Sequence, residues 1–177
     1  MVMPLLSTKI GKGFATFFSP SFGGVGEAVM NNQNIQGADE MMAKLKAAQA
    51  YLKNDAPIII GIEAEKHFKA NFDRESFDGS SKWATRDTKR KGGTNGQKVL
   101  SKTGDLKNSI VHRVEGNTVI ISSDLPYSQI HNEGLEGKAW GKHKFVMKKR
   151  QFIGESPELF NKLQKEIEKD LAKVFGT

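Results

Sequence analysis

The stretch from Ser156 to Gly176 limits what this chain can become more than any other. Ser156 is suited to cap a helix, Pro157 and Glu158 to its first turn, and Gly176 to its end. Between them Leu159, Leu163, Ile167, Leu171 and Val174 recur every three or four residues. Lys162, Lys165, Glu166, Lys169 and Asp170 take the other side. A helix with one apolar stripe must lie on another surface, so the rest of the chain has to supply one.

Two helices are predicted upstream. Over residues 39–54, Asp39 is a candidate N-cap, and Met42, Leu45, Ala48 and Leu52 form one stripe. Over residues 56–73, Asp55 can cap and Pro57 sits where its missing N–H costs nothing. Ile58 and Ile62, with Ile60, Ala64, Phe68 and Phe72, give that helix a broad apolar face. His67 beside Phe68 is expected at or near the surface rather than as a ligand.

Strand signals come later. Ile110–Val114 and Thr118–Ser122 are rich in β-branched residues, and Glu115-Gly116-Asn117 supplies the turn between them. Just before, Thr103-Gly104-Asp105 reads as a turn, and Leu106 and Ile110 fall on one side of a single helical turn. Asp124-Leu125-Pro126 can start a short helix carrying Tyr127, Ile130 and His131 on one side, with Gly134 as its terminator. Residues 135–141, with Trp140, read as a glycine-containing loop, and His143–Met147 as a strand. In residues 74–104 Trp83 is the single large apolar anchor.

Residues 1–37 show no lasting period. Phe14, Phe17, Phe18 and Phe22 lie among glycines and prolines, as in an irregular extension that packs on a neighbour or stays mobile. Exposed phenylalanines favour a partner subunit. The expected organisation is therefore an N-terminal extension, 1–37, and one domain, 38–177, with a basic loop at 79–102.

Charge and composition narrow the chemistry. Residues 82–102 carry Lys82, Arg86, Lys89, Arg90, Lys91, Lys98 and Lys102 against Asp87 alone, a balance of +6. Residues 138–150 carry Lys138, Lys142, Lys144, Lys148, Lys149 and Arg150 with no acid, again +6. The net charge is +7, so the remainder stands at −5. Such segments suit a polyanion or an acidic protein surface; solvated loops are the plainer alternative. Cysteine is absent, which excludes disulfides and thiolate sites. No apolar run is long enough for a membrane span, and the apolar N-terminus is too short for a signal segment.

Gly92-Gly93-Thr94-Asn95-Gly96-Gln97-Lys98 lacks the spacing and the following Ser/Thr of a phosphate loop. His131, Glu133 and His143 lack metal-ligand spacing, although a hydrolase using His131 and Glu133 can be drawn on paper. No Gly-x-Ser-x-Gly elbow exposes a serine. Neither a cofactor, a metal site nor an enzyme is expected.

The order of the motifs carries more than any one of them. Trp83 follows Phe77-Asp78-Gly79. Then come Leu100-x-x-Thr103-Gly104-x-Leu106-x-x-Ser109-Ile110, the valine-rich hairpin, Tyr127-x-x-Ile130-His131-x-x-Gly134 and Arg150-x-Phe152-Ile153-Gly154. Over about residues 40–175 this series resembles the phage virion morphogenesis family, the Mu-like tail-completion proteins. It is similar, more distantly, to the head–tail joining and tail-terminator proteins of long-tailed phages. Gln151 stands where the family usually has proline, and residues 1–37 match nothing in it.

The resemblance implies an α+β fold, a small curved antiparallel sheet flanked by N-terminal and C-terminal helices. It implies a structural neck or tail-completion protein of the virion, made in the host cytoplasm, that forms a ring, often six-fold. Its partners would be the tail tube and connector, with the DNA path running through the ring. In that setting the basic segments would face DNA phosphates or acidic protein surfaces. A non-sequence-specific nucleic-acid-binding module is the alternative. Gly104 and Gly134 would serve backbone geometry, Tyr127 and His131 packing, and Arg150 either an intersubunit contact or a salt bridge orienting the last loop.

Overall fold

The computed structural model describes residues 14–17, 37–85, 98–139 and 143–176. Its centre is the predicted hairpin. β2 (Ile110–Glu115) and β3 (Thr118–Ser123) pair antiparallel from Ile110↔Ser123 to Glu115↔Thr118, closed over Gly116-Asn117. Alternation along β2 buries Ile110 and leaves Val111 exposed, as a strand with one covered face requires. β3 is buried more evenly because it lies in the middle. Its other neighbour is β1 (Phe14–Phe17), which pairs antiparallel with Val119–Ser122. Part of the segment expected to be irregular is thus an edge strand of the main sheet. Four residues are too few to show a period, and their pairing is decided by a strand about a hundred residues away.

The two upstream helices, α1 (Ala38–Asn54) and α2 (Ala56–Arg74), form one interrupted rod. Asp55 keeps helical backbone angles: its N–H donates to the Tyr51 carbonyl at 2.9 Å, and its carbonyl accepts from Ile59 N–H at 3.0 Å. Pro57 removes one donor between them, which is the interruption. Asp55 therefore does not cap α2 with its side chain, and Gly37 rather than Asp39 occupies the N-cap of α1. Asp39 instead lies in the first turn, where its charge suits the helix dipole.

α5 (Pro157–Phe175) runs antiparallel along this rod. Successive contacts show it: Arg74 with Glu158, Lys162 with Glu63, Tyr51 with Asp170, and Lys44 with the Phe175 carbonyl. Ser156 caps α5 as expected, accepting Leu159 N–H at 2.9 Å, and Gly176 ends it. Leu159 and Leu163 are buried against α2. Ile167, Leu171 and Val174 are only half-buried, because beyond α2 the stripe meets α1 alone.

α2 covers the sheet, so α2 rather than α5 bears the main core. Ala64, Phe68 and Phe72, at a four-residue spacing, meet Ile110, Val119 and Ile121. Phe72 also lies edge-on to Trp83, with centroids 5.5 Å apart, and 5.2 Å from Phe152. Burying side chains of this size contributes roughly 2–3 kcal/mol each.

Parts of the predicted stripes on the rod stay open. Met42 and Leu45 on α1, and Ile58 and Ile62 on α2, are exposed at 54%, 48%, 50% and 38%. α5 meets the rod on the side of Ala48, Tyr51 and Glu63, and the sheet takes the side of Phe68; neither reaches those four. The loop expected at 135–141 contains β4 (Glu136–Ala139), paired with β5 (His143–Val146) as a separate two-stranded sheet. Trp140 lies outside the described residues.

Candidate functional site

The motif residues converge on one irregular strap, residues 147–156. A strap without regular structure needs its backbone groups satisfied by other means. Asn132, buried on α4 (Ser128–Glu133), does most of this. Its Oδ1 accepts from Phe152 N–H at 2.8 Å and Ile153 N–H at 3.0 Å, and its Nδ2 donates to the Ile153 carbonyl at 3.1 Å. Asn71 Nδ2, from α2, donates to the Phe152 carbonyl at 3.2 Å. Trp83 Nε1 donates to the Gln151 carbonyl at 3.0 Å. Each partner comes from a different stretch of chain, so the strap closes the fold like a clasp.

Arg150 is buried in this clasp. Its N–H donates to the His131 carbonyl at 2.8 Å and its Nε to the Ala84 carbonyl at 3.0 Å. Those bonds tie the loop after Trp83 to the strap within one chain. Gly134 explains itself here: its φ is +73°, and an added Cβ would lie 2.8 Å from the Lys149 backbone nitrogen. Phe152 fills the core beneath. Tyr127, expected to be buried, is 39% exposed, with its ring edge-on to His131 at 6.0 Å. A cleft of about 320 Å³ opens beside the strap, lined by Asn132, Glu133, Lys149, Gln151, Ile153, Gly154 and Glu155.

The turn at Thr103–Asp105 is as predicted. Gly104 has φ +82° and begins α3 (Asp105–Asn108), Thr103 Oγ1 donates to Asp105 Oδ2 at 2.6 Å, and Leu106 and Ile110 enter the core. The basic segment before it is partly engaged. Lys82 Nζ donates to the Arg74 carbonyl at 2.6 Å, and Lys98 Nζ to the Asp73 carbonyl at 3.3 Å. These are carbonyls at the end of α2, where cations complement the helix dipole. Arg86, Lys89, Arg90, Lys91 and the glycine-rich stretch 92–97 lie outside the described residues. In the second segment Lys144, Lys148 and Lys149 are exposed, and Lys142 is outside the described residues.

His67 departs from expectation: it is buried, and Nε2 lies 2.8 Å from Asp78 Oδ1 and 3.0 Å from Ser156 Oγ. Ser156 Oγ also donates to Asp78 Oδ1 at 2.7 Å. Histidine, serine and aspartate meet, but not as a proton relay. A relay uses the two ring nitrogens separately, whereas here one nitrogen faces both partners. Among the described residues His67, Asp78 and Glu158 are the ones that could hold a metal ion, their ligand atoms lying within 4.8 Å of one another. Glu158 is nevertheless clamped by Arg74 at 3.1 Å to both oxygens, and Ser156 is committed to the α5 cap. The cluster serves the start of α5. His131 and Glu133 lie half-buried on α4, and the structure gathers no third ligand around them among the described residues.

Sequence reasoning missed Asn71, Asn132 and the pair His112–Glu65, 2.6 Å apart. Asn71 lies between Phe68 and Phe72, and Asn132 inside the Tyr127–Gly134 motif. A polar residue on a buried helical face was the available signal.

A clasp built from hydrogen bonds and aromatic packing closes a small α+β fold. The chain belongs to the phage virion morphogenesis family, whose sequence model matches residues 31–172. No curated protein and no solved structure matches it. Its role is therefore structural, in the phage virion. Among the described residues no helix is long and apolar enough to cross a membrane.

Proposed function

We propose that the protein completes the phage tail at its head-proximal end by assembling as a ring on the tail tube, next to the connector. The family match over residues 31–172 carries this reading. The surface supports it. Met41, Met42 and Leu45 on α1 and Ile58 and Ile62 on α2 are exposed apolar side chains of the kind a neighbouring subunit would cover. Arg150 acts inside the subunit in this account, fixing the clasp rather than bridging copies.

The test is assembly. The purified chain is measured by native mass spectrometry and negative-stain microscopy, alone and with isolated tail tubes lacking it. Ring-sized particles, or rings capping the tubes, are expected. A chain that stays monomeric and does not bind the tubes refutes the proposal.

A further inference from the structure

We propose that the β4–β5 hairpin is a contact for the phosphate backbone of duplex DNA, made through the opposed lysines Lys138 and Lys144. The two face each other directly across the ribbon, in register between Glu136↔Val146 and Ala139↔His143. Both are exposed, and neither side chain makes a hydrogen bond or ion pair among the described residues. Like charges set opposite each other destabilise a strand pair. An anion between them turns that cost into attraction.

Among the described residues, Lys82 and Lys98 of the first basic segment serve the end of α2, while Lys102 is exposed. Lys107, just beyond that segment, is held by Asp73 at 2.8 Å. The hairpin lysines have no such internal use. Lys148, two residues past the end of β5, is a further exposed lysine and reaches only the Thr85 carbonyl, at 3.5 Å. Glu136, opposite Val146, ends the ladder.

Phosphate suits this surface better than an acidic protein does. The patch is built from lysine, which is depleted at protein–protein interfaces, where arginine and aromatic residues dominate. Lysine acts as a compact point charge that needs no planar, bidentate partner. The pair lies on a two-stranded antiparallel ribbon, a shape that the major groove admits. Contacts of this kind position a protein on DNA without reading sequence. The inference goes beyond ring assembly, and either can hold without the other.

The full chain is titrated into a labelled random-sequence duplex by fluorescence anisotropy at several salt concentrations. Two or three neutralised phosphates give a slope of log K against log salt of about −2 to −3. Lys138→Glu with Lys144→Glu is expected to lower affinity about tenfold or more and to flatten the slope by about 1.8. Lys46→Glu with Lys53→Glu, on the exposed side of α1, changes net charge equally and should cost less than about threefold if the site is local. Lys138→Thr with Lys144→Thr keeps strand-forming residues and should lose binding too, which separates lost charge from a lost hairpin. Equal losses from the hairpin and α1 reversals overturn the inference, as does binding of polyglutamate but not of DNA. Absence of DNA binding at low salt by a chain that still forms rings overturns it and leaves the assembly proposal standing.

Discussion

Asn132→Ala should be among the most damaging single substitutions in the protein. Three backbone groups depend on this side chain, Phe152 N–H, Ile153 N–H and the Ile153 carbonyl. Each buried group left without a partner costs about 1–3 kcal/mol. The full sum overstates the loss, because Asn132 also lines the adjoining cleft and water can enter from it. A destabilisation of about 3 kcal/mol is expected, or a fall in Tm of roughly 6–12 °C for a chain of this size. Asn132→Asp keeps both acceptor bonds but turns an oxygen toward the Ile153 carbonyl and buries a charge, so about 2 kcal/mol is expected. Urea unfolding followed by circular dichroism measures both, with an unchanged m value showing that only the native state was altered. Asn71→Ala adds a second handle, since Asn71 holds the Phe152 carbonyl. The double variant should cost less than the sum of the singles by more than about 0.5 kcal/mol, because both grip the same strap. A loss below about 1 kcal/mol for Asn132→Ala would refute the view that these three bonds are what holds the strap.

Gly134→Ala forces a side chain onto φ +73° and against the Lys149 backbone, so it should destabilise the fold by at least about 2 kcal/mol in the same urea assay. Gly61→Ala places its Cβ 2.5 Å from His112 Cδ2; the displaced ring should lose Glu65, read as a shift of the His112 ring signals in NMR spectra. For Glu65, burial raises the carboxyl pKa, but Lys69 and His112 together outweigh it, and the net value lies below the ordinary 4.5. A lowered carboxylate value means stability present at neutral pH and lost on acidification. The gap between wild type and Glu65→Gln should therefore be widest near neutrality and close as pH falls through and below that value. Burial first, and then the neighbouring Asp170, push the Tyr51 hydroxyl up to about 12. An absorbance step near pH 12 should vanish in Tyr51→Phe.

The elements that were legible in the sequence share a cause. Ser156 and Gly176 set the ends of α5, Gly104 and Thr103 set the turn into α3, and a high share of β-branched residues sets β2 and β3. Each depends on φ restrictions, a local cap or the repeat of one element, all of which lie within a few residues. The ordered motifs around Trp83, Thr103-Gly104, Tyr127–Gly134 and Arg150–Gly154 were equally readable, and with them the family.

What the chain buries was not readable in the same way. The stripes on α1 and α2 have the right period, yet Ala48 is covered while Met42 and Leu45 are not. That choice follows from where α5 crosses the rod, through contacts such as Tyr51 with Asp170. Periodicity shows that a helix has a face and cannot show whether a partner arrives at it. Asn71 and Asn132 acquired their roles only when an irregular strap, brought from elsewhere in the chain, needed donors and acceptors. The lysines divided for the same reason. Those near the end of α2 found carbonyls to serve, and those on the hairpin did not. Charge and period are properties of the sequence; which charges and which faces remain open to a partner is decided by packing between distant segments.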